Sequence, residues 1–324
     1  MKCKILLSII SIILVINSGC IQEKSDNHQL FDNNILIKGK ESYSTIQEAI
    51  NHSTDGDTIL ISKGIYYENI HLNKTIVLKG ENQQTTIING MNNSTICEIS
   101  ADDVTILNLS FRNSGKEPYD SGILLRCNRT HINNLTFSNT TNGLFLSKES
   151  SYNIISNCTL YHNQNGIYLK ETTNNHIYLN NISNNSGFGI YLDFYANLNQ
   201  LNQNIIYLNE VGIRIKTAAY NQIFDNWIMN NTLKGIYLCC SAQNNRLYRN
   251  YLIENGVNAQ DTYRNYWSSY DHIGNYWSEY VQKYPNAIDE DQDGIWDTPY
   301  EIPDEDNKDQ YPLVNFLKPH QFIE

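Results

Sequence analysis

The sequence is poor in charged residues, proline and methionine. Of its 324 residues, 18% are Asp, Glu, Lys or Arg, and only 6 are Pro and 3 are Met, whereas 23 are Tyr and Asn is abundant throughout. Asn and Tyr favour turns and strands over helices. The composition therefore disfavours a helical fold and predicts one elongated all-β body.

Basic residues are outnumbered by acidic ones. There are 23 Lys and Arg against 34 Asp and Glu, which gives a net charge of −11, and no basic stripe is interleaved with aromatic residues. Nucleic acids and anionic membrane surfaces attract basic proteins. We therefore expect no nucleic-acid partner.

The longest apolar run lies within residues 1–20, behind two lysines. It is too short for a dependable membrane span and predicts a secretory signal peptide. Ser18 and Gly19 precede Cys20 as at a lipoprotein processing site, although Asn17 stands where such sites prefer an aliphatic residue. Lipidation of Cys20, simple cleavage and an uncleaved leader anchor remain open. All three predict an exported protein at the cell surface, on the extracellular face of the cytoplasmic membrane.

Cysteines with metal-binding or redox spacing are absent after the leader. The five downstream cysteines are odd in number and show no CxxC pattern, and directly adjacent cysteines pair only with strain. They are Cys97, Cys127, Cys158, Cys239 and Cys240. We interpret most of them as small buried residues.

A repeat is the strongest pattern in the sequence. Five short segments of the type GIYL begin with glycines that are each 23 residues apart. These glycines are Gly143, Gly166, Gly189, Gly212 and Gly235. A fixed period of this length, carried by short apolar runs, is typical of a solenoid.

A column of asparagines follows the same period. Its members are Asn134, Asn157, Asn180, Asn204, Asn226 and Asn250, separated by 22 to 24 residues. Asparagines stacked at one turn hydrogen-bond along the stack and satisfy polar groups that a turn leaves open. We expect the column to be buried.

These columns predict an all-β, single-stranded, right-handed parallel β-helix, a three-sheet solenoid with coils of about 23 residues spanning residues 41–258. A leucine-rich repeat shares the period but needs a helical half-repeat, and no helical periodicity accompanies the repeat. Strand alternation places the residues one and three after each glycine, such as Ile167 and Leu169, inside the coil. The glycine itself suits a positive φ or a close backbone approach.

The residue between the two inward positions points outward. This column, which we call the aromatic ladder, contains Leu124, Phe145, Tyr168, Tyr191, Arg214 and Tyr237. We expect it to be exposed, with rungs about 5 Å apart. Two interpretations stay open: stacking that stabilises parallel strands, or a platform on which sugar rings stack.

Both ends of the solenoid carry segments that break the repeat. Residues 21–40 read as a linker, and a short amphipathic helix containing Ile46, Ala49 and Ile50 is predicted to cap the first coil. Residues 259–324 are rich in Trp, Tyr and Asp and predict an irregular C-terminal cap.

The C-terminal cap contains a candidate calcium loop. Carboxylates at alternate positions around a glycine turn supply the oxygen ligands that Ca²⁺ prefers. The predicted ligands are Asp289, Asp291, Asp293, the carbonyl of Ile295, and Asp297. The loop departs from the pattern at Tyr300, where a bidentate Glu is expected, so a plain acidic surface turn is the alternative.

With these motifs, residues 41–313 resemble the NosD-like group of carbohydrate-binding and sugar-hydrolase (CASH) β-helices, in the pectin-lyase-like superfamily, as found among archaeal surface proteins. The resemblance rests on STIQEAI, DGDTI and GIYYENI near the start, NGIYL in the coils, and GNYWSEY, DGIWDTPYEIP and YPL at the end. It implies the fold and an association with polysaccharides. It does not specify an activity.

The family name also implies an association with copper. Copper prefers clustered His, Met or Cys ligands. Three histidines, His131, His162 and His176, fall in different columns, and Cys239 with Cys240 is the one soft-ligand pair. We do not expect copper.

Catalytic candidates are weak. Asp193 and Glu171 lie one coil apart, with Lys170 adjacent, and paired carboxylates or a carboxylate beside a base serve hydrolases and lyases. Alternating charges along a solenoid also arise as ordinary ion pairs.

The leading hypothesis is a non-catalytic glycan-binding or envelope-scaffold protein. Its ligand-binding residues are Phe145, Tyr168, Tyr191, Arg214 and Tyr237. The alternatives are a polysaccharide lyase or glycoside hydrolase and, after it, a copper-binding accessory protein.

Overall fold

The computed structural model describes residues 35–148, 150–304 and 306–315. This part of the chain is an all-β, right-handed parallel β-helix in which each coil adds one strand to each of three sheets. The predicted fold is confirmed. The predicted signal peptide, 1–20, and Cys20 lie outside the described residues.

We call the first two long sheets A and B. Sheet A contains β1 Ile35–Ile37, β2 Ser42–Tyr43, β3 Thr58–Ile61, β6 Val77–Gly80, β9 Thr105–Leu107, β12 His131–Asn133, β15 Ile154–Ser156, β18 His176–Tyr178, β21 Gln200–Asn202, β24 Gln222–Phe224 and β27 Arg246–Tyr248. Sheet B contains β4 Gly64–Tyr66, β7 Thr86–Asn89, β10 Ser110–Arg112, β13 Thr136–Ser138, β16 Thr159–Tyr161, β19 Asn181–Ser183, β22 Ile205–Tyr207, β25 Trp227–Met229, β28 Tyr251–Ile253 and β30 Tyr276–Trp277.

The third long sheet, sheet C, has the longest strands. It contains β5 Ile70–Leu72, β8 Cys97–Ile99, β11 Ser121–Leu125, β14 Asn142–Leu146, β17 Asn165–Lys170, β20 Phe188–Asp193, β23 Val211–Lys216, β26 Lys234–Cys239 and β29 Val257–Asp261. A small antiparallel pair, β31 Tyr300–Glu301 and β32 Lys308–Asp309, belongs to the C-terminal cap. The two described helices are α1 Ile46–His52 and α2 Tyr280–Lys283, and neither has the length and apolar character needed to cross a membrane.

The N-terminal end of the solenoid is closed by α1 and β1. The hydroxyl of Thr45 caps α1 by accepting from the Glu48 amide, and Ile46, Ala49 and Ile50 are fully buried, which confirms the predicted capping helix. Strand β1 pairs antiparallel with β3. The predicted C-terminal boundary of the linker 21–40 is therefore wrong, because Ile35–Ile37 forms a strand that covers the edge of the first coil.

Aliphatic side chains fill the coil interior. Ile167 and Leu169, and their equivalents Ile190 and Leu192 one coil later, have no exposed surface. Each such side chain contributes about 1.5–3 kcal/mol on burial. The predicted inward positions are confirmed.

The glycine column is required by close approach and not by backbone conformation. A Cβ at Gly189 would lie 2.6 Å from the carbonyl oxygen of Gly212 and 2.7 Å from a methyl of Ile206. The pairing of β20 with β23 skips these glycines, because Phe188 pairs with Val211 and the next pair begins at Ile190. Only glycine fits where the backbones of neighbouring coils come so close.

Asparagines, most of them buried, form three ladders in the described residues, one at each corner of the coil. The ladder between sheets C and A contains Asn153, Asn175, Asn199, Asn221, Asn245 and Asn265. The ladder between sheets A and B contains Asn180, Asn204, Asn226, Asn250 and Asn275. The ladder between sheets B and C contains Asn163, Asn185, Asn209, Asn231, Asn255 and Asn258.

Each ladder repeats one hydrogen-bond unit. The Oδ1 of Asn204 accepts the backbone N–H of Asn180 at 3.1 Å and its Nδ2–H at 3.0 Å, while the Nδ2 of Asn204 donates to the carbonyl of Ile177 at 2.9 Å. The ladder amides of the central coils thus receive an acceptor from the next coil. Buried polar groups are satisfied without water.

The sequence-based asparagine column was wrong at its first two members. Asn134 and Asn157 are left-handed turn residues with φ of 54°, and Asn157 is exposed. The ladder positions in those coils are the next residues, Leu135 and Cys158, and the Cys158 amide donates to Asn180 at 3.0 Å. Asparagine also tolerates left-handed φ, so two adjacent Asn-rich columns are hard to separate by spacing alone.

Carboxylates of the C-terminal cap end all three ladders. Asn265 donates to Asp261 at 2.8 Å, the Asn275 amide donates to Asp309 at 2.7 Å, and Asn258 donates to Glu279. The last asparagine of each ladder has donors but no following coil. A negatively charged acceptor satisfies them strongly.

Buried tryptophans hold two of these carboxylates in place. The Trp267 indole donates to Asp261 and the Trp277 indole to Asp309, both at 2.9 Å. Trp277 also stacks on Tyr300, with ring centroids 3.9 Å apart. The predicted cap is therefore packed over the last coil through both rings and charges.

Asp309 makes the stability of the cap depend on pH. It is fully buried, and burial raises its pKa to about 6 from an ordinary 3.8. Between these two pKa values the folded state binds a proton that the unfolded state releases. Protonation of Asp309 therefore contributes up to roughly 3 kcal/mol to the free energy of unfolding. This contribution is complete below about pH 4 and is lost as the pH rises through 6.

The check is the free energy of unfolding of the native protein and of Asp309→Asn, measured at pH 5 and pH 7.5. The free energy of unfolding of the native protein, relative to that of the variant, should be larger at pH 5 than at pH 7.5. The exposed Asp306→Asn variant should track the native protein. A difference between native protein and Asp309→Asn that is equal at both pH values would contradict the assignment.

Candidate ligand-binding site

The outer face of sheet C carries the aromatic ladder. The register of β17, β20, β23 and β26 places Tyr168, Tyr191, Arg214 and Tyr237 directly beside one another. Tyr168 and Tyr191 stack with centroids 4.9 Å apart and planes 5° from parallel. The Arg214 guanidinium continues the stack, 5.5 Å from the centroids of both Tyr191 and Tyr237.

The first rungs of the ladder are not exposed. Leu124, Phe145 and Tyr168 are 6%, 5% and 8% exposed, so the expectation of an exposed ladder is wrong for them. Tyr119, on the long loop between β10 and β11, stacks on Phe145 at 5.4 Å. Only the later rungs, from Tyr191 onward, are partly open to solvent.

Asp193 lies beneath the open part of the ladder. It is 8% exposed, accepts a hydrogen bond from the Tyr168 hydroxyl at 3.0 Å, and lies 3.8 Å from the Lys216 ammonium. Its Oδ1 is buried and is the oxygen that faces the Lys216 ammonium, beyond hydrogen-bond distance. Burial, followed by the charge of Asp193, raises the pKa of Tyr168, so this phenol stays protonated and donates to the carboxylate.

Cations surround this carboxylate. Strands β17, β20, β23 and β26 contain four basic residues and one acidic residue, in a protein whose net charge is −11. Lys234 lies 3.7 Å from the Tyr237 centroid, and the Nε of Arg214 is buried without a hydrogen-bond partner. The face therefore combines half-buried tyrosine rings with an excess of basic side chains.

The predicted catalytic residues lie at the adjoining ends of β17 and β20. Asp193 pairs with Lys170 on one side and Lys216 on the other. Glu171 is a turn residue with φ of 55°, and its amide donates to the carbonyl of Phe194. Lys170 donates to the Tyr119 hydroxyl at 3.2 Å, which raises the pKa of the lysine.

Sequence reasoning missed three residues of this face. The Phe188 ring centroid lies 5.1 Å from the Arg214 guanidinium, and the Lys234 ammonium lies over the Tyr237 ring. Both residues directly precede a glycine of the repeat. Because the strand pairing skips that glycine, the side chains of Phe188 and Lys234 also reach the outer face. Tyr119 is on a loop outside the repeat. No periodic signal identifies it.

The acidic loop brings three of its predicted ligands together. Carboxylate oxygens of Asp289, Asp291 and Asp293 lie within 4.8 Å of one another. Asp297 instead accepts from the Glu290 amide at 3.0 Å. The amides of Asp293, Gly294 and Ile295 donate to the carboxylates of Asp291, Asp289 and Asp293 at 3.3, 3.1 and 2.8 Å. The Oδ1 of Asp289 is buried without a hydrogen-bond partner.

A protein-family model matches most of the solenoid. The model described as periplasmic copper-binding protein (NosD) covers residues 50–282. The chain belongs to the NosD family. A protein named as a pectinesterase/pectinesterase inhibitor of Arabidopsis thaliana is 46% identical over 66 residues, which are 18% of this chain; the match spans only 12% of that protein's length.

Solved structures support the same fold for this NosD family member. An alginate lyase from Paenibacillus sp. str. FPU-7 superposes with a TM-score of 0.57 at 15% identity, over 71% of this chain and 93% of that one. The pectate lyase Pel9A gives 0.56 at 16% identity, over 72% and 69%. These likenesses show the same parallel β-helix fold.

The donor groups present do not fit copper. Within residues 35–148, 150–304 and 306–315, the only group of three or more His, Cys, Asp or Glu side chains close enough to share an ion is the Asp289 cluster. Carboxylates are hard ligands, whereas copper prefers imidazole and sulfur. Cys239 and Cys240 supply sulfur, but Arg214 lies 3.8 Å from the Cys239 Sγ and repels a cation.

Proposed function

We propose that this NosD family protein is exported, held at the cell surface, and binds polysaccharide there without cleaving it. The observation that carries the proposal is the open end of the aromatic ladder. There the Asp193–Lys216 ion pair and the Arg214 guanidinium lie beside the half-buried rings of Tyr191 and Tyr237. Sugar rings present an apolar face to aromatic side chains and hydroxyls to such donors and acceptors.

The ligand is an acidic polysaccharide. The four central strands of sheet C carry more basic side chains, those of Lys170, Arg214, Lys216 and Lys234, than carboxylates, of which there is one. Cations confined to one face of an acidic protein attract anions to that face. The two structural neighbours described above are named as alginate and pectate lyases. Their names support a polysaccharide ligand for this fold.

The predicted leader supports a surface location. Residues 1–20 would direct export, and either a lipid on Cys20 or the uncleaved leader would hold the protein at the membrane. Membrane attachment would then present the solenoid outside the cell, where polysaccharides are found.

Binding is favoured over catalysis by the surroundings of Asp193. Hydrolases place two carboxylates about 5–10 Å apart across the scissile bond, whereas the strand neighbours of Asp193 are Lys170 and Lys216. A lyase or hydrolase is the second candidate, because a buried carboxylate between basic side chains is also typical of active sites. A copper accessory role is third, since the donors do not fit.

The test is incubation of purified residues 21–324, with Cys20 replaced, on a panel of acidic and neutral polysaccharides, recording retained protein and released sugar ends together. Retention on acidic polysaccharides without release is expected. Release that Asp193→Ala abolishes would make the protein an enzyme. Neither retention nor release would reject the glycan-binding proposal and leave an envelope scaffold.

We further propose that the Asp289, Asp291 and Asp293 cluster holds a structural Ca²⁺. The buried, unbonded Oδ1 of Asp289 supports it. Tyr300, at the position of the usual bidentate Glu, instead donates to Glu279 inside the cap. The site therefore has fewer ligands than a complete calcium loop, and a weaker affinity follows.

Calcium should raise the thermal unfolding midpoint of the protein, by about 2–4 °C for each kcal/mol of binding energy. Asp291→Asn should abolish the increase, because it removes a charged ligand. Asp306→Asn, an exposed carboxylate outside the loop, should leave it unchanged. Equal responses of the two variants would mean that calcium acts elsewhere.

A further inference from the structure

Two thiols meet at the end of β26. Cys239 is the last residue of the strand and is in register with Lys216 of β23, whereas Cys240 begins the following turn with φ of 58°. Their sulfur atoms are 3.0 Å apart. Cys239 is 3% exposed, and Cys240 is exposed.

The other described cysteines are of a different kind. Cys97, Cys127 and Cys158 are buried in the solenoid. Burial raises the pKa of all three thiols, that of Cys158 to about 12. They behave as small apolar residues, so Cys240 is the accessible thiol of the described chain.

The two members of the pair differ in a way that suits successive roles. Cys240 reaches solvent, so its thiolate can meet a reagent. Burial raises the pKa of Cys239, and the Arg214 guanidinium, 3.8 Å away, opposes this by favouring the thiolate. A positive group beside a buried sulfur stabilises charge that develops there during a reaction.

We propose that Cys239 and Cys240 form a thiol–disulfide exchange site for low-molecular-weight disulfides. The Cys240 thiolate attacks one sulfur of the disulfide R–S–S–R, forming Cys240–S–S–R and releasing RS⁻. The Cys239 thiolate then attacks the Cys240 sulfur, closes a Cys239–Cys240 disulfide and releases a second RS⁻. Two electrons pass from the cysteine pair to the disulfide, and the two cysteine protons go to the two released thiolates.

The product disulfide should be easily reversed. Adjacent cysteines close a small ring whose geometry departs from the preferred disulfide, and strained or exposed disulfides are the reducible ones. The oxidation state of the pair therefore follows the ratio of thiols to disulfides in its surroundings, and the pair does not act as a permanent cross-link. This site is separate from copper chemistry, because it requires no metal.

The test uses the reduced full chain, incubated with glutathione disulfide in the presence of a chelator, then alkylated and digested with trypsin. Cleavage after Lys234 and Arg246 isolates both thiols in one peptide, residues 235–246. We expect this peptide to lose both alkylation sites and to become two hydrogens lighter, and a thiol reductant should restore it. Free alkylation of both thiols would overturn the proposal.

Two matched variants separate the roles. Cys239→Ser should stop at a glutathione adduct on Cys240, and Cys240→Ser should remain unreacted because Cys239 is buried. Cys158→Ser should close the pair as the native chain does. The proposal would be overturned if the native chain accumulated the glutathione adduct to the same extent as Cys239→Ser. It would also be overturned if the Cys239–Cys240 disulfide formed equally completely in the guanidinium-unfolded chain, because the fold would then contribute nothing.

Discussion

Replacing Asn204 by alanine is expected to lower the free energy of unfolding by about 3–5 kcal/mol. Asn204 has no exposed surface and occupies the middle of its ladder. Its loss leaves the backbone N–H and the Nδ2 of Asn180, and the carbonyl of Ile177, without their partners. Each unsatisfied buried group costs about 1–3 kcal/mol.

The matched control is Gln222→Ala, which removes a carboxamide of similar size from an exposed position of β24. Its effect should stay within about 0.5 kcal/mol. Denaturant unfolding followed by circular dichroism measures both variants. An Asn204→Ala loss no larger than that of Gln222→Ala would show that water replaces the ladder contacts and that the ladder does not stabilise the solenoid.

Replacing Arg214 by methionine is expected to weaken retention on an acidic polysaccharide by about 10- to 100-fold. The guanidinium joins Tyr191 to Tyr237 in the stack and supplies positive charge at the half-open end of the ladder. Methionine keeps most of the packing volume but removes the charge and the donor. The dissociation constant, measured at two salt concentrations, should also lose much of its salt dependence.

Arg249→Met is the matched control. Arg249 also lies over aromatic rings, 5.3 Å from the Tyr248 centroid, but it follows sheet A and its charge pairs with Asp225 at 2.8 Å. Its replacement should leave the dissociation constant unchanged. Equal losses for both variants would indicate that general charge, and not the sheet C face, attracts the polysaccharide.

Much of the architecture could be predicted because its causes repeat. Every coil needs a glycine where backbones approach and two aliphatic residues inside, so Gly189, Ile190 and Leu192 recur with the same spacing in each coil. Averaging over several coils makes even a weak preference visible. The N-terminal helix was predictable for a similar reason, since its three buried residues follow helical spacing.

The sequence by itself therefore determined the solenoid, its inward columns and the acidic cluster, because local spacing and a repeated register encode them. Tertiary structure alone decided which asparagines form ladders, how carboxylates such as Asp309 end them, and which rungs stay open. Tyr119 reaches Phe145 from a loop outside the repeat, and Asp309 meets Asn275 from 34 residues further along the chain. Contacts of this kind depend on how non-repeating segments fold back onto the coils, and no periodicity records that.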